Sequence, residues 1–518
     1  MDTMTNRKAI IDIGSNSIRL VVYSYNSLQG LVEHHNFKTV ARLSMYIDST
    51  GNLNNDGIQV LLETLSKFKE ILEDIQVKHV FAAATAAIRQ AENKEAILAY
   101  IKGKLGLTLT ILTAEQEAYF GYLAVIHSTN TQTAVTIDMG GGSTEITLFV
   151  KKKLIHMHSL PFGAVSLTRR FMKSEEMTQE EIIQLSKYVN EQLQPLTWLH
   201  NVQVPIIAIG GSARNIAQVD QQLKDSSLNG IHQYELKSTD LQEISSQFSK
   251  CSLDELKKID GLSSDRADII VPALETFRLF MDKVKAPSFI YSKRGLREGI
   301  ILSQLVGKFP LEFNVNEVAQ NAVRHVLGKF NVKEENTLHL YDIFTTIYDQ
   351  FIEWNYIEPL ENEQLLRFAY ILFYIGEHID QDAASQHTFY LLTNLTIDGL
   401  TNEERLKIAL LASYKNKDTF KQYVSAYDHI LKGNESKKLR DIGALIRFTK
   451  GIDVLGRSNI KQITLTKLSD ELVLTFIVAG NYMLEKYQAE KLKKHLEKVV
   501  NCQVKIIFQL HSASVFCD

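Results

Sequence analysis

The sequence predicts a mixed α/β protein: two lobes, each opened by the same strand–turn–strand hairpin, then an all-helical domain and a small terminal ββαβ unit. Three observations carry this reading. The segment Ala9-Ile10-Ile11-Asp12-Ile13-Gly14-Ser15-Asn16-Ser17-Ile18-Arg19-Leu20 lines up at constant offset with Val135-Thr136-Ile137-Asp138-Met139-Gly140-Gly141-Gly142-Ser143-Thr144-Glu145-Ile146. Around both copies, short apolar runs alternate with stretches of helical periodicity, as layered α/β lobes require. From about Gly307 to Lys450 the apolar residues recur at helical spacing alone.

Composition bounds what such a chain can do. It has 518 residues, 57 Lys+Arg against 60 Asp+Glu and a formal net charge of −3, which excludes a uniformly basic nucleic-acid coat and an acidic disordered tail. At about 150 residues per domain the length implies roughly three to four domains. Seven prolines and 26 glycines are too few for a linker-dominated chain. Cys251, Cys502 and Cys517 form no CxxC pair, so neither a disulfide framework nor a thiolate zinc site is indicated, and a reducing cytoplasm is the expected location. Met1–Lys8 is polar and lacks the apolar region of a secretory signal. No window reaches the ~18 apolar residues of a membrane span, so no membrane partner is expected, and the near-even charge balance leaves no nucleic-acid partner expected.

Taken in order, each hairpin copy has an apolar strand, an Asp at its end, a Gly/Ser-rich turn and a second strand. Turns of this composition let backbone N–H groups converge on an anion with no side chain in the way. Gly14, Ser15, Asn16 and Ser17 in the first copy, and Gly140, Gly141, Gly142 and Ser143 in the second, are therefore candidate phosphate ligands. Asp12 and Asp138 stand where a carboxylate would hold a divalent cation against that phosphate. Between the copies we expect helices near Gly57–Glu73, Asn93–Lys104 and Glu115–His127, and strands at His79–Ala84 and Thr108–Leu112. Arg89 follows Thr85 by four residues and would share a helix face with it, as a guanidinium clamp on phosphate. After the second copy come helices near Ala164–Met172 and Gln179–Leu193, then a strand at Pro205–Ile209. The turn Gly210-Gly211-Ser212 that follows precedes a helix, the arrangement for an anion at a helix N-terminus. Lys151-Lys152-Lys153 reads as a solvated hairpin tip. His156 and His158 share a strand face without a third ligand nearby.

In the second half, helical patterns cover Glu317–Lys329, Leu338–Trp354, Glu363–Glu377 and Glu403–Tyr414. A basic strip of Lys432, Lys437, Lys438, Arg440, Arg447 and Lys450 is a candidate polyanion track, with a solvated helix face as the plain alternative. Strands at Ile463–Leu468, Glu471–Val478 and Gln503–Gln509, with a helix at Tyr482–Val499, form the terminal ββαβ unit. The resulting division is 1–127 and 128–306 for the lobes, 307–455 for the helical domain and 456–518 for the terminal unit.

Seven landmarks across the first 300 residues resemble the exopolyphosphatase and guanosine pentaphosphate phosphohydrolase family, a branch of the actin-like (ribonuclease H-like) superfamily, and most of all its long-form exopolyphosphatases. They are Ile11–Ser17, Ala84-Thr85-Ala86-Ala87-Ile88-Arg89, Glu115-Gln116-Glu117-Ala118, Ile137–Glu145, Gly210-Gly211-Ser212, Arg266-Ala267-Asp268 and Gly295-Leu296-Arg297-Glu298-Gly299. The resemblance implies Glu117 as the base that orients or deprotonates the attacking water, with Asp138 and Glu145 catalytic beside it. Asp12, Asp138 and Glu145 would handle Mg2+, with a monovalent cation such as K+ as a second candidate. Arg266 becomes a phosphate ligand, whereas Arg297 reads equally well as an ion-pair partner of Glu298 or another carboxylate. Glu115 is better explained as a first-turn carboxylate favoured by the helix dipole.

Long members of that family carry a helical domain related to HD phosphohydrolases. Phe373 and Tyr374 stand where its His-Asp metal pair would fall, and a lone His387 does not replace it, so binding or dimerisation is the expected role. The implied activity is hydrolysis of the terminal phosphoanhydride of inorganic polyphosphate in a homodimer. Guanosine pentaphosphate hydrolysis, and a non-catalytic sensor of polyphosphate or guanosine tetra- or pentaphosphate, stand as alternatives. Nucleotide-dependent kinase action is a weaker one.

Overall fold

The computed structural model describes residues 7–511 except 175, 225–227, 229, 339, 428–429, 432, 454–455 and 458. Two compact units divide the chain. The first is Met1–Ser226, Ile231–Asn321 and Asp398–Leu400; the second is Ser227–Gly230, Ala322–Ile397 and Thr401–Asp518.

In the first unit the sequence repeat becomes a topological one. Strands β1 (Arg7–Ile13), β2 (Ser17–Asn26) and β3 (Gly30–Val40), helix α1 (Asn55–Asp74), β4 (His79–Ala84), the short helix α2 (Ala86–Arg89), α3 (Lys94–Leu105), β5 (Leu109–Ile111) and α4 (Ala114–Ile126) come first. Their sheet runs β3-β2-β1-β4-β5. The chain then repeats the plan with β6 (Ala134–Met139), β7 (Thr144–Val150), β8 (Lys153–Leu160), α5 (Ala164–Phe171), α6 (Gln179–Leu193), β9 (Ile206–Ile209), α7 (Gly211–Leu223), β10 (Tyr234–Lys237), α8 (Ser238–Phe248), α9 (Leu253–Leu256), α10 (Ile270–Val284), β11 (Ser288–Ser292) and α11 (Leu296–Leu305). The second sheet runs β8-β7-β6-β9-β11 with β10 added at the edge. Each lobe is thus a hairpin meander joined to parallel strands, the fold of the actin-like superfamily. Register is shared too: Asp12 faces Arg19 in the first hairpin and Asp138 faces Glu145 in the second.

The chain does not respect a cut between lobes at residue 127. Helix α11, which the sequence division assigns to the second lobe, buries Ile300, Ile301 and Leu305 against Ile10, Val21, Tyr23 and Ala83 of the first sheet. Helix α4, assigned to the first lobe, buries Tyr122, Val125 and Ile126 with Ala134, Phe149 and Ile207 of the second. Each helix is apolar on the face that meets the other lobe's sheet, and burial of that face outweighs sequence proximity. The lysine triplet is also corrected. Lys152 is only 4% exposed, and its ammonium donates to the carbonyls of Ile126, Thr129 and Val315; burial lowers its pKa to about 8. His156 stacks on Trp198 at 5.1 Å.

The second unit holds α12 (Val318–Lys329), α13 (Glu334–Leu338), α14 (Tyr341–Glu353), α15 (Glu363–Ile371), α16 (Ala384–Asn394), α17 (Asn402–Ala412), α18 (Lys417–Ser425) and α19 (Glu435–Ile452), although the division places the first residues of α12 with the lobes. It ends in β12 (Ile460–Lys467), β13 (Glu471–Val478), α20 (Met483–Val500) and β14 (Gln503–Leu510), a sheet of order β12-β13-β14. The predicted helix Glu363–Glu377 stops at Ile371, because Tyr374 takes φ +56° and its ring stacks on Phe373 at 4.3 Å. Helices α16 and α18 were not anticipated, and α19 entered only as the helix face of the basic strip; from Leu439 onward α19 is buried on most sides. The basic strip does not form one solvated row. Arg440 pairs with Asp441, Arg447 lies over the Tyr374 ring, and Lys450 lies over Tyr370 with burial lowering its pKa to about 7. Lys432, like Cys517, lies outside the described residues. Among the described residues, no helix is long and apolar enough to cross a membrane.

Candidate active site

Both hairpin turns are built by one device. Gly14 N donates to Ser17 O at 3.1 Å, and Gly140 N donates to Ser143 O at 3.0 Å. The carbonyls beyond are tied backwards: Ser15 O accepts from Ser44 N, Asn16 O from Ala41 N and Arg42 N, Gly140 O from Ala164 N, and Gly141 O from Ser166 N. With those carbonyls engaged, the amides of the turns are left to point the other way, as an anion site needs. The turns abut. A Cβ on Gly142 would lie 2.8 Å from Ser15 Oγ, and one on Gly141 would lie 2.9 Å from Ser15 Cβ. Ser15, Asn16 and Ser143 are buried there, and Asn16 Nδ2 is without a partner.

Four carboxylates converge at this junction. Asp12 and Asp138 end β1 and β6, Glu145 lies on β7 opposite Asp138, and Glu117 comes from the first turn of α4. That helix is started by a capping box in which Thr113 and Gln116 exchange side-chain and backbone bonds. The geometry sends Glu115 to solvent and buries Glu117. Arg89 Nη1 donates to Glu117 Oε2 at 2.7 Å and to Leu112 O at 3.0 Å, while its Nη2 stands 3.9 Å from Glu145 Oε1. The expected face shared by Thr85 and Arg89 is not what positions them. Helix α2 has only four residues, Thr85 donates to Ile13 O, and Arg89 reaches the carboxylates.

Electrostatics follow from this crowding. Burial, together with Glu117 and Asp12 nearby, pushes Asp138 up to about 7. Burial also raises Glu117, against the pull of Arg89. Glu145 is raised well above the ordinary range by burial, Glu117 and Asp138, although Ser159 donates to it at 3.0 Å. Asp12 is raised by burial in spite of Arg297, whose Nη1 lies 3.4 Å away. This excess of buried negative charge on hard oxygen donors suits a divalent cation. Among the described residues no three His, Cys, Asp or Glu side chains are grouped to hold a metal ion together. Mg2+ commonly takes one or two carboxylates plus water and phosphate oxygens, so the donors fit a cation shared with a phosphate.

The third turn adds the opposite charge. Gly210 takes φ +96°, and a Cβ there would stand 3.1 Å from Asp138 Oδ1. Arg266 packs on Gly211, where a Cβ would fall 2.2 Å from its Cζ, and its Nη1 reaches Ser212 Oγ at 3.4 Å. Burial and the proximity of Arg214 and Arg19 lower Arg266 to about 10, although Asp265 opposes this. Arg19, Arg214 and Arg297 were not among the predicted ligands, yet they gather with Arg266. Burial, Arg297 and Arg214 lower Arg19, and the Nε atoms of Arg214, Arg266 and Arg297 are buried without an acceptor. The signals available in the sequence were the register of Arg19 against Asp12 and the position of Arg214 one helical turn after Gly210. The segment bearing Arg266 is anchored on both sides, by Lys38 with Asp265 and by Arg42 with Asp268 at 2.9 Å.

Two abutting amide turns, buried carboxylates and an arginine cluster suit phosphate chemistry, and comparison with known proteins agrees. Residues 5–307 match the Ppx/GppA phosphatase family, and residues 318–495 match its domain III. This chain belongs to the Ppx/GppA phosphatase family. As a Ppx/GppA phosphatase it is a hydrolase. An exopolyphosphatase from Cytophaga hutchinsonii shares its fold with a TM-score of 0.55 at 24% identity, covering 58% of this chain and 98% of its own. A Ppx/GppA family member from Aquifex aeolicus gives 0.52 at 28% identity with the same coverages. A second structure of the Aquifex aeolicus enzyme gives 0.50 at 29% identity, over 57% of this chain and 99% of that one.

Proposed function

We propose that this Ppx/GppA phosphatase is an exopolyphosphatase that releases orthophosphate from the end of inorganic polyphosphate. The carrying observation is the junction itself: four carboxylates, of which Glu117 and Glu145 are buried and Asp12 and Asp138 half-buried, meet two amide-lined turns, with four arginines gathered beside them. The amides would hold the oxygens of the terminal phosphate. Glu117, its pKa raised by burial, takes a proton from a water whose oxygen attacks the terminal phosphorus. The bridging P–O bond breaks, and the chain leaves one phosphate shorter. One or two of Asp12, Asp138 and Glu145 would hold Mg2+, with water and phosphate completing its shell; when bound it supplies positive charge to the phosphate oxygens. Arg19, Arg214, Arg266 and Arg297 hold the phosphates behind the terminal one, a repeating anion that suits a cluster of guanidiniums better than a single clamp.

The test compares initial phosphate release from long-chain polyphosphate and from guanosine pentaphosphate at matched concentrations with Mg2+. Faster release from polyphosphate is expected; release from the nucleotide alone would make the protein a guanosine pentaphosphate phosphohydrolase, and binding without release a sensor. Glu117→Gln should lower kcat by about 10²–10⁴-fold and leave polyphosphate binding largely intact.

A further inference from the structure

The segment between β3 and α1 meets both halves of the site. Its backbone backs the first turn. Ala41 N and Arg42 N donate to Asn16 O at 3.1 and 2.9 Å, and Ser44 donates to Ser15 O from its N at 3.2 Å and from its Oγ at 3.3 Å. Arg42 turns its N–H that way by taking φ +46° and ψ +42°, a left-handed conformation that glycine enters freely and an arginine does not. A glycine would make the same backbone bond with less strain. What the arginine adds is its side chain.

That side chain crosses to the other lobe. Arg42 Nη1 stands 2.9 Å from Asp268 Oδ2 and its Nη2 3.4 Å from Oδ1, a two-point fork. Both partners are set in firm surroundings. Arg42 lies between Ala41 and Leu43, which are buried in the first lobe's core, and Asp268 lies between Ala267 and Ile269, which are buried in the second's. Asp268 follows Arg266 by two residues on the short 3-10 helix Ser264–Ile269, and Arg266 packs on Gly211. Lys38 of β3 pairs with Asp265 on the same stretch. One residue therefore bonds the amide turn with its N–H and the Arg266 segment with its guanidinium.

We infer that Arg42 is a positioning residue: it fixes the span between the turn that takes the terminal phosphate and the guanidinium that takes the phosphates behind it, and so favours a phosphate chain over a single phosphate. This rests on the proposed reading of the site. A chain held at the turn meets Arg266 as an intramolecular partner, and the gain from that second contact depends on the two standing at the right separation. Without the fork the separation is no longer fixed and the gain falls. Arg42 and Asp268 are 40% and 26% exposed, and a pair this exposed sets the effect at up to about fivefold. A lone orthophosphate needs only the turn and loses nothing.

The experiment measures phosphate release from polyphosphate (or from guanosine pentaphosphate, should the parent hydrolyse only that), inhibition by orthophosphate, and melting temperature, on the full chain with Mg2+. Arg42→Gly keeps the backbone bond to Asn16 O and removes the guanidinium; Asp268→Asn keeps Arg42 and removes the fork. Each should raise KM about fivefold, and weaken polyphosphate binding as much in the Glu117→Gln background, while kcat and the orthophosphate inhibition constant change less than about twofold. The double variant should match either single one, because both remove one interaction. Asp268→Asn separates positioning from simple attraction. Deleting a negative charge near a polyanion would by attraction alone lower KM, so a lowered or unchanged KM overturns the inference. A double variant whose KM rises about 25-fold overturns it too, as does an orthophosphate inhibition constant that rises in step with KM. If Arg42→Gly does not fold, Arg42→Lys takes its place, since it keeps the charge and loses the fork. A parent that releases no phosphate from either substrate removes the reading of the site and this inference with it, an outcome distinct from an active parent whose variants keep its KM.

Discussion

Replacing Arg89 by Gln isolates what tunes Glu117. The guanidinium donates to the Glu117 carboxylate at 2.7 Å and opposes the upward push of burial. At an effective dielectric of about 20 and a charge separation of about 4 Å, the attraction is at most about 4 kcal/mol. A neighbouring arginine typically lowers a carboxyl pKa by about 1–3 units, or about 1.4–4 kcal/mol, and the two figures agree. Arg89 favours the ionised form, so its loss raises the Glu117 pKa. A base must be ionised to act, so the acid limb of the kcat/KM profile should move to higher pH by about 1–3 units. The assay is phosphate release from polyphosphate across pH, with melting temperature as a check, because Arg89 also donates to Leu112 O. A variant that loses activity equally at every pH, with its acid limb unmoved, would refute this reasoning. Arg89 would then act on the substrate, as the clamp expected from sequence.

Other consequences of the structure can be measured directly. Gly142→Ala places a Cβ 2.8 Å from Ser15 Oγ; forcing the turns apart should cost about 1–3 kcal/mol and raise KM for polyphosphate, whereas Gly103→Ala on α3, with nothing within 4 Å, should be neutral or stabilising in a thermal melt. Lys152→Met leaves the carbonyls of Ile126, Thr129 and Val315 without their donor and should cost about 2–4 kcal/mol, read as a lower denaturation midpoint. Asp138 is raised from 3.8 to about 7, so the folded state binds more protons than the unfolded chain between those values, and stability falls as pH rises through that window. Without divalent cation the protein should therefore melt higher at about pH 6 than at about pH 8. Mg2+ at about 100 times its Kd should restore about 2.7 kcal/mol at the higher pH and much less at low pH; an equal shift at both would show that the carboxylates do not hold it.

The repeat was legible because a turn that presents amides to phosphate tolerates few residue types. Gly, Ser and Asn at fixed offsets from Asp12 and Asp138 therefore survive as a visible pattern, and the hairpins and their turns lie where that pattern puts them. Glu145 belongs to the second copy of that pattern, whereas Glu117, on α4, was found only through the family resemblance of Glu115-Gln116-Glu117-Ala118. Helix α19 was less so, since a helix buried on most sides loses the amphipathic stripe that periodicity detects, and α18 escaped because nine residues with two buried positions make too short a pattern. Lys152 misled because a lysine at a hairpin tip usually meets water, and nothing local shows that three carbonyls wait for it.

The sequence by itself determined the elements and the chemistry of the turns: alternating strands, glycines where a side chain would collide, and an Asp at each strand end, all properties of residues a few positions apart. Tertiary structure alone decided the pairings. Arg89 meets Glu117 across 28 positions, Arg297 meets Asp12 across 285, and Arg294 meets Asp398 across 104. It also decided that α4 and α11 each pack on the other lobe's sheet. Charge and apolar surface are paired by distance in space, and once helices cross between lobes that distance is no longer a function of position along the chain.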